Sequence, residues 1–329
     1  MKALFLVEAG GQYGLGHLVR CSVLADALRA RRAEVRFAVR RGARHLPDWF
    51  TSDTPVIDVD NPGAAEALVM QHAPGWVVVD GYGLLTDGVV RRLRTADRRV
   101  LAFDDFGNDG GGADLVVNQN VSVDATAQRD ARRLLGPHYA IVAPAYAANR
   151  TRGVSASLQR ILLTFGGSDV RGLTPHALRA FKDVPDSLSL DVVVGPYHRT
   201  SAFEISGRHR LTVHTQPHGL AALLATADLV ISAAGSTCWE ICCAGVPLIA
   251  VQTADNQREV MRCLTSRSCA LTLPAEVFLP TIESGGLPAL IDRLRDAAKR
   301  EAMVTAQRQL VDGKGAGRIV SAMGFSGYA

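Results

Sequence analysis

One histidine and a small set of glycines, carboxylates and hydroxyls carry the chemistry this chain can offer. His17 lies in Gly14-Leu15-Gly16-His17-Leu18-Val19-Arg20, directly after the apolar run Ala3-Leu4-Phe5-Leu6-Val7. That run reads as a buried strand, and Cys21 to Arg32 reads as an amphipathic helix. Gly14 and Gly16 at such a junction let the backbone approach a phosphate or sugar, and a helix start turns free N–H groups toward an anion. A histidine in that turn stands where a nucleotide-linked ligand would present its reactive carbon. An imidazole, with an ordinary pKa of about 6.5, can take up a proton near neutral pH. The block is not a dinucleotide fingerprint, because Val19 stands where a third glycine is needed, and no Gly-Lys-Ser/Thr follows to make a P-loop. A packing turn of the kind many α/β proteins carry is the plain alternative.

The second half repeats this layout. Leu163-Thr164-Phe165 runs into Gly166, Gly167, Ser168 and Asp169, a tight turn suited to a pyrophosphate; Asp169 as a helix cap is the competing reading. Ala227 to Ala234 reads as a strand ending in a small-residue turn, where Gly235, Ser236 and Thr237 open a helix toward phosphate oxygens. Glu240, one turn inside, is placed to accept from ribose hydroxyls, unless Thr237 and Glu240 form a capping box. Asn256 and Gln257 follow the strand Leu248–Val251. In the first half Asp80-Gly81-Tyr82 and Asp104-Asp105 also follow strands, and the acid pair reads either as site carboxylates or as loop caps. Cys238 and Cys242 share a helix face, but no C-x-x-C pair and no histidine at zinc spacing accompanies them. No metal and no cofactor is expected.

Short β-branched runs alternate with helical segments throughout. Strands are expected at Lys2–Val7, Glu34–Val39, Pro55–Val59, Trp76–Asp80, Arg99–Phe103 and Leu115–Asn118. They are expected again at Arg160–Phe165, Leu188–Val194, Arg210–His214, Leu229–Ser232 and Leu248–Val251. Continuous apolar runs such as Trp76-Val77-Val78-Val79 point to parallel strands covered on both faces. The polar, proline-containing stretch from Ala143 to Leu158 reads as a linker. The expected architecture is α/β: two Rossmann-like doubly wound parallel sheets whose strand C-termini face a central cleft. The domains are set at 1–148 for sugar and catalysis and 149–329 for the nucleotide, with the final helix packing back on the first.

A chain of 329 residues, 47% hydrophobic and 21% charged, is long enough for two cores. Its net charge of +4 comes with arginines spread along the chain, whereas a nucleic-acid footprint is concentrated. No nucleic-acid partner is expected. The start lacks a charged-then-apolar export layout, and no stretch approaches the roughly 20 apolar residues of a membrane span. A cytoplasmic protein without stable membrane association is the expectation; the oligomeric state is left open.

Taken together, the motifs resemble the nucleotide-sugar hydrolase family of pseudaminic acid biosynthesis. The match runs in order through Gly14–Arg20, Val79-Asp80-Gly81-Tyr82, Asp104-Asp105, Val117-Asn118-Gln119-Asn120 and Leu135-Gly136-Pro137-His138-Tyr139. It continues through Phe165–Asp169, Gly235–Glu240 and Asn256-Gln257. The resemblance implies the GT-B fold, also that of the peptidoglycan N-acetylglucosaminyltransferase. It implies metal-independent release of UDP from a UDP-activated amino or deoxy sugar by water attack at the anomeric carbon. By the same resemblance His17 is the base, Tyr82 and Asn256 support the sugar and phosphate, and the second half holds UDP. The family's first strand usually carries an arginine and an aspartate where this chain has Leu6 and Glu8, and Gly10-Gly11 replaces small hydroxyl residues. The choice of sugar is therefore expected to be written there. Two alternatives stand beside hydrolysis: a GT-B glycosyltransferase using a UDP-sugar donor, and a UDP-sugar binder without turnover.

Overall fold

Aliphatic runs buried on both faces build two parallel sheets, each wrapped by helices. The computed structural model describes residues 1–10, 15–41, 46, 50, 56–58, 62–84, 87–107, 109–121, 132–167, 169, 171–195, 198, 203, 205, 208–215, 217 and 219–325. Two units divide the chain, residues 1–142 with 314–329, and residues 143–313.

The first unit holds β1 (Lys2–Ala9), β2 (Glu34–Arg41), β3 (Val56–Asp58), β4 (Trp76–Asp80), β5 (Arg99–Phe103), β6 (Leu115–Asn118) and β7 (Arg133–Leu135). They lie parallel in the order β3-β2-β1-β4-β5-β6-β7, with Lys2 opposite Glu34 and Ala3 opposite Trp76. Helices α1 (Gly16–Arg29), α2 (Pro62–His72) and α3 (Asp87–Leu93) connect these strands. The strand order reverses between β1 and β4, and in open α/β sheets ligands bind beyond the strand ends at such a reversal. The Gly14–Arg20 block follows β1, and Asp80 ends β4.

The second unit holds β8 (Arg160–Thr164), β9 (Ser189–Val194), β10 (Arg210–Thr215), β11 (Leu229–Ala233), β12 (Leu248–Gln252) and β13 (Leu271–Pro274). Their order, β10-β9-β8-β11-β12-β13, reverses between β8 and β11, ahead of the Gly166 and Gly235 turns. Its helices are α4 (Pro144–Ala147), α5 (Leu173–Ala180), α6 (Ala221–Leu224), α7 (Thr237–Ala244), α8 (Arg258–Ser266), α9 (Ala275–Glu283), α10 (Leu287–Asp292) and α11 (Ala297–Leu310). Helix α7 stops at Gly245, whose φ of 73° suits a left-handed C-cap, and whose N–H reaches the Ile241 carbonyl at 2.9 Å.

Three expectations are corrected. Helix α1 begins at Gly16 rather than Cys21, so His17 and Arg20 sit in its first turn. Glycine's low helix propensity counts for little at a first position whose N–H has no intrahelical partner anyway. The stretch 143–158 is not a bare linker: α4 buries Tyr146, and Arg152 donates to the Ala227 carbonyl at 2.6 Å and to Asp228 at 3.0 Å. Asp228 also accepts the backbone N–H groups of Gln159 and Arg160 at 2.9 Å, fastening the stretch to the start of β8. Strands β7 and β13 escaped the sequence reading. Both are short outer strands, too brief for a periodic signal.

Helix α12 (Gly315–Ala322) belongs to the first unit, where Ile319, Val320, Met323 and Phe325 join Leu24 and Leu28 in one core. Gly315 lies so close to the Ala140 carbonyl that a Cβ there would collide with it. Among the described residues no helix is long and apolar enough to cross a membrane. Because Ile319 is fully buried, Ile319→Ala is expected to destabilise the N-terminal unit by about 2–5 kcal/mol. Denaturant unfolding followed by Trp76 fluorescence checks this, and an unchanged midpoint would contradict the assignment of α12 to that core.

Candidate active site

In the first unit the ends of four elements meet around one guanidinium. Arg20, buried in the first turns of α1, donates from Nε to Asp80 Oδ2 and from Nη2 to Asp80 Oδ1, both at 2.6 Å. Nη1 and Nη2 also reach the two oxygens of Asp105 at 2.9 Å. The Phe103 ring lies under the guanidinium, 4.5 Å from centroid to Cζ. Asn120, just past β6, donates to Asp105 Oδ1 at 3.0 Å.

His17 joins the cluster through Nδ1, 2.6 Å from Asp80 Oδ1. A carboxylate only accepts, so Nδ1 carries the proton in this pair and Nε2 is the atom with a basic lone pair. Arg20 Nη2 comes within 3.1 Å of Nδ1 because both donors share Oδ1. Burial alone would raise the Asp80 pKa, but Arg20 and His17 outweigh it and hold the carboxyl well below the usual range. Burial opposes the Arg20 charge as well, yet Asp105 and Asp80 hold its pKa above the ordinary value. Burial beside Asp80 pushes the Cys21 thiol up, keeping it protonated as a donor to Asp80 at 3.3 Å. Tyr82 is 42% exposed and stands edge-on to His17, with ring centroids 5.0 Å apart and its hydroxyl 3.4 Å from Asp105.

The acid pair after β5 divides its labour. Asp104 accepts from the N–H groups of Phe106, Gly107 and Gly110, as a loop cap does, whereas Asp105 turns to Arg20. Gly16 is the first residue of α1, and Gly14 lies outside the described residues.

The second unit has its own cluster. Gly166 adopts a φ of 85°, and Gly195, after β9, sits so close to Gly167 that a side chain at 195 would collide with its backbone. Ser168 lies outside the described residues. Both Asp169 oxygens accept backbone N–H groups at 2.8 Å, from Leu173 and Thr174, so this carboxylate caps α5. Gly235, Ser236 and Thr237 form the start of α7, partly exposed, with space where a Gly235 side chain would lie. Ser236, not Thr237, is the N-cap of α7, and its side chain makes no capping hydrogen bond. Glu240 instead lies close enough to Tyr146 for the phenol to lower its carboxyl pKa, and the Tyr146 hydroxyl accepts the Leu220 N–H at 3.0 Å. Asn256 is exposed in a 3-10 turn, while Gln257 Oε1 accepts from the Thr253 N–H at 2.7 Å and holds that turn together.

The structure thus brings His17, Arg20, Asp80 and Tyr82 together, sets Gly166, Gly167, Gly235 and Ser236 on turns after β8 and β11, and places Thr237 and Glu240 in the first turn of α7. Sequence reasoning had no role for Tyr146, which stood in the presumed linker, nor for Asp105 as the partner of Arg20 and Asn120 as the partner of Asp105. Asn120 lies in the quoted Val117–Asn120 motif, the one signal that pointed to it. Among the described residues no group of three or more His, Cys, Asp or Glu side chains is placed to hold a metal ion.

Burial pushes the Glu240 carboxyl from its ordinary 4.5 up to about 7, against the lowering effect of Tyr146. Between those values the folded chain holds a proton that the unfolded chain releases. The contribution of Glu240 to the stability of the second unit is therefore expected to be complete below pH 4.5, to be lost as pH rises toward about 7, and to level off above. Melting curves across that window should show this slope in the parent and a flatter one in Glu240→Gln. Equal slopes would assign the proton elsewhere.

No family model matches the chain. The spore coat polysaccharide biosynthesis protein SpsG of Bacillus subtilis (strain 168) is 24% identical over 336 residues, spanning 98% of this chain and 97% of that protein. Uncharacterized protein MJ1062 of Methanocaldococcus jannaschii is 23% identical over 277 residues, spanning 79% of this chain and 57% of that protein. Among solved structures, Acinetobacter baumannii MurG superposes with a TM-score of 0.70 at 17% identity, covering 99% of this chain and 100% of that one. The spinosyn rhamnosyltransferase SpnG complexed with thymidine diphosphate gives 0.68 at 18% identity, covering 98% and 100%. CalG4, the calicheamicin glycosyltransferase, gives 0.67 at 14% identity, covering 98% and 97%. The chain has the GT-B fold.

Proposed function

We propose that this chain is a sugar-nucleotide enzyme in which His17 activates an oxygen nucleophile for attack on the anomeric carbon, and that the reaction is glycosyl transfer. The observation that carries the reading is the 2.6 Å contact between His17 Nδ1 and buried Asp80. It fixes the tautomer and orientation of the imidazole, as a base requires. The relatives named as glycosyltransferases support transfer to an acceptor, and the spore coat polysaccharide relative supports a glycan product.

In the proposed step His17 Nε2 takes the proton of an acceptor hydroxyl as its oxygen bonds to the anomeric carbon. The bond from that carbon to the diphosphate breaks, and the nucleoside diphosphate leaves with the electron pair. With His17 neutral, two carboxylates and one guanidinium leave the cluster one negative charge in excess. The diphosphate is assigned to Gly166, Gly167, Ser168 and the Gly235-Ser236-Thr237 helix start, and the ribose to Glu240. Asp169 supports the first of these turns by capping α5. Tyr82 and Asn256 are assigned to the sugar and phosphate, and Gln257 to holding the turn that carries Asn256. Uridine is the nucleoside that the motif resemblance implies.

Hydrolysis is the second reading, favoured by the ordered motifs shared with the pseudaminic acid pathway hydrolases. The same base would then activate water. Nucleotide release from a panel of UDP- and dTDP-sugars, with and without acceptor alcohols and in H₂¹⁸O, separates the two. Acceptor-dependent release supports transfer, whereas acceptor-free release with label in the sugar supports hydrolysis. His17→Asn and Asp80→Asn are each expected to cut turnover by about 100-fold or more while UDP affinity, measured by calorimetry, stays near the parent's. Full turnover in His17→Asn would remove His17 from the role of base. UDP binding without release from any donor would leave only a binding protein.

A further inference from the structure

Glu8, near the end of β1, is fully buried, a costly place for a carboxylate without partners. Its Oε2 accepts the Gly83 N–H at 2.8 Å, and its Oε1 accepts from Arg40 Nη1 on β2 at 2.9 Å. The backbone on either side of Tyr82 is pressed against this side chain. A Cβ at Gly81 would lie 2.6 Å from Glu8 Cγ, and one at Gly83 would lie 2.7 Å from Glu8 Oε1 and 2.8 Å from Arg40 Nη1. At Gly81 a side chain would strike the stem of Glu8, and at Gly83 it would push on the Glu8 carboxylate and the Arg40 guanidinium. The residue between the two glycines, Tyr82, is the one that stands edge-on to His17 and reaches Asp105. Each oxygen of Glu8 already faces a donor of the fold, which leaves it poorly suited to read a sugar hydroxyl.

We propose that Glu8 is a positioning residue: balanced by Arg40, its buried carboxylate pins the Gly81–Gly83 turn and so fixes Tyr82 against His17. The inference rests on His17 being the base. Glu8 then acts on the reaction through Tyr82 and takes no part in contacting the sugar, contrary to the expectation that the choice of sugar is written at this position.

The geometry gives a test that separates pinning from substrate contact. In Glu8→Gln one carboxylate oxygen becomes an NH₂ group, so one of the two donors must face another donor. In the double variant E8Q/R40M that conflict is gone, and the remaining oxygen can accept the Gly83 N–H. Histidine labelled with ¹³C at Cε1 reports the position of Tyr82, because its ring shifts the His17 resonance. His17→Asn identifies that resonance, and Tyr82→Leu gives its position with the ring absent. In E8Q the resonance is expected to move toward the Tyr82→Leu position, and kcat for nucleotide release to fall about 10- to 100-fold with KM within about two-fold. E8Q/R40M should recover both. Gly83→Ala, which leaves Glu8 in place but crowds the turn, should move the resonance in the same direction. Circular dichroism confirms folding, and Gly83→Ala decides the matter if E8Q does not fold.

A His17 resonance unmoved in folded E8Q, or in Gly83→Ala where E8Q does not fold, would overturn the proposal. So would a raised KM that R40M does not repair, since that marks a sugar contact. If the parent turns over no donor, the proposed function fails while the resonance still decides the pinning.

Discussion

A guanidinium taken out of water costs several kcal/mol unless its donors are met, and Arg20 is buried. The cost is offset only because Asp80 and Asp105 each face it with both oxygens, in the paired geometry that suits a planar fork. This fixes much else. Asp80 must end β4, Asp105 must follow β5, Asn120 must follow β6, and α1 must start early enough to bring Arg20 between them. Without the cation, two buried carboxylates would confront each other beside His17. The carboxylate that orients the imidazole is therefore itself held by Arg20.

In the second unit carboxylates close on backbone N–H groups, as Asp104 does in the first: Asp169 on the start of α5, Asp228 on the start of β8. These bonds shape turns, whereas the Gly235 and Ser236 carbonyls take up the Cys238 and Trp239 N–H groups as α7 begins. The two units use the same topology, with a strand reversal ahead of α1 and of α7, but different electrostatics. One concentrates charge around His17, and the other leaves the start of α7 partly exposed.

Much of this was legible in the chain. Strands buried on both faces leave apolar runs, so β1, β4, β5, β8, β11 and β12 stood out from Leu4, Val77, Leu101, Leu162, Val230 and Ile249. The glycine turns after β1, β8 and β11 were equally plain. What stayed hidden depends on distance in space. Asp104 and Asp105 are adjacent and chemically identical, and only the fold makes one a loop cap and the other a partner of Arg20, 85 residues away. Tyr146 lay in a stretch without periodicity, since a single buried ring in a short helix leaves no pattern. The Thr237-x-x-Glu240 spacing matched a capping box, yet Ser236 is the N-cap of α7 and Glu240 lies beside Tyr146. Local patterns name candidates for a hydrogen bond, and tertiary contacts choose among them.

Helix α12 reaches the first core only after residues 143–313 have been made. On the ribosome, synthesis runs from the N-terminus, so the sheet bearing His17 emerges early with its α1 surface still uncovered. Leu24 and Leu28 wait for Ile319 and Val320, contacts spanning nearly the whole chain. Such long-range closure is entropically slow and comes late. The unit that holds His17 thus completes its core only after residues 143–313 are made, and until then its α1 face stays open to chaperones and to aggregation.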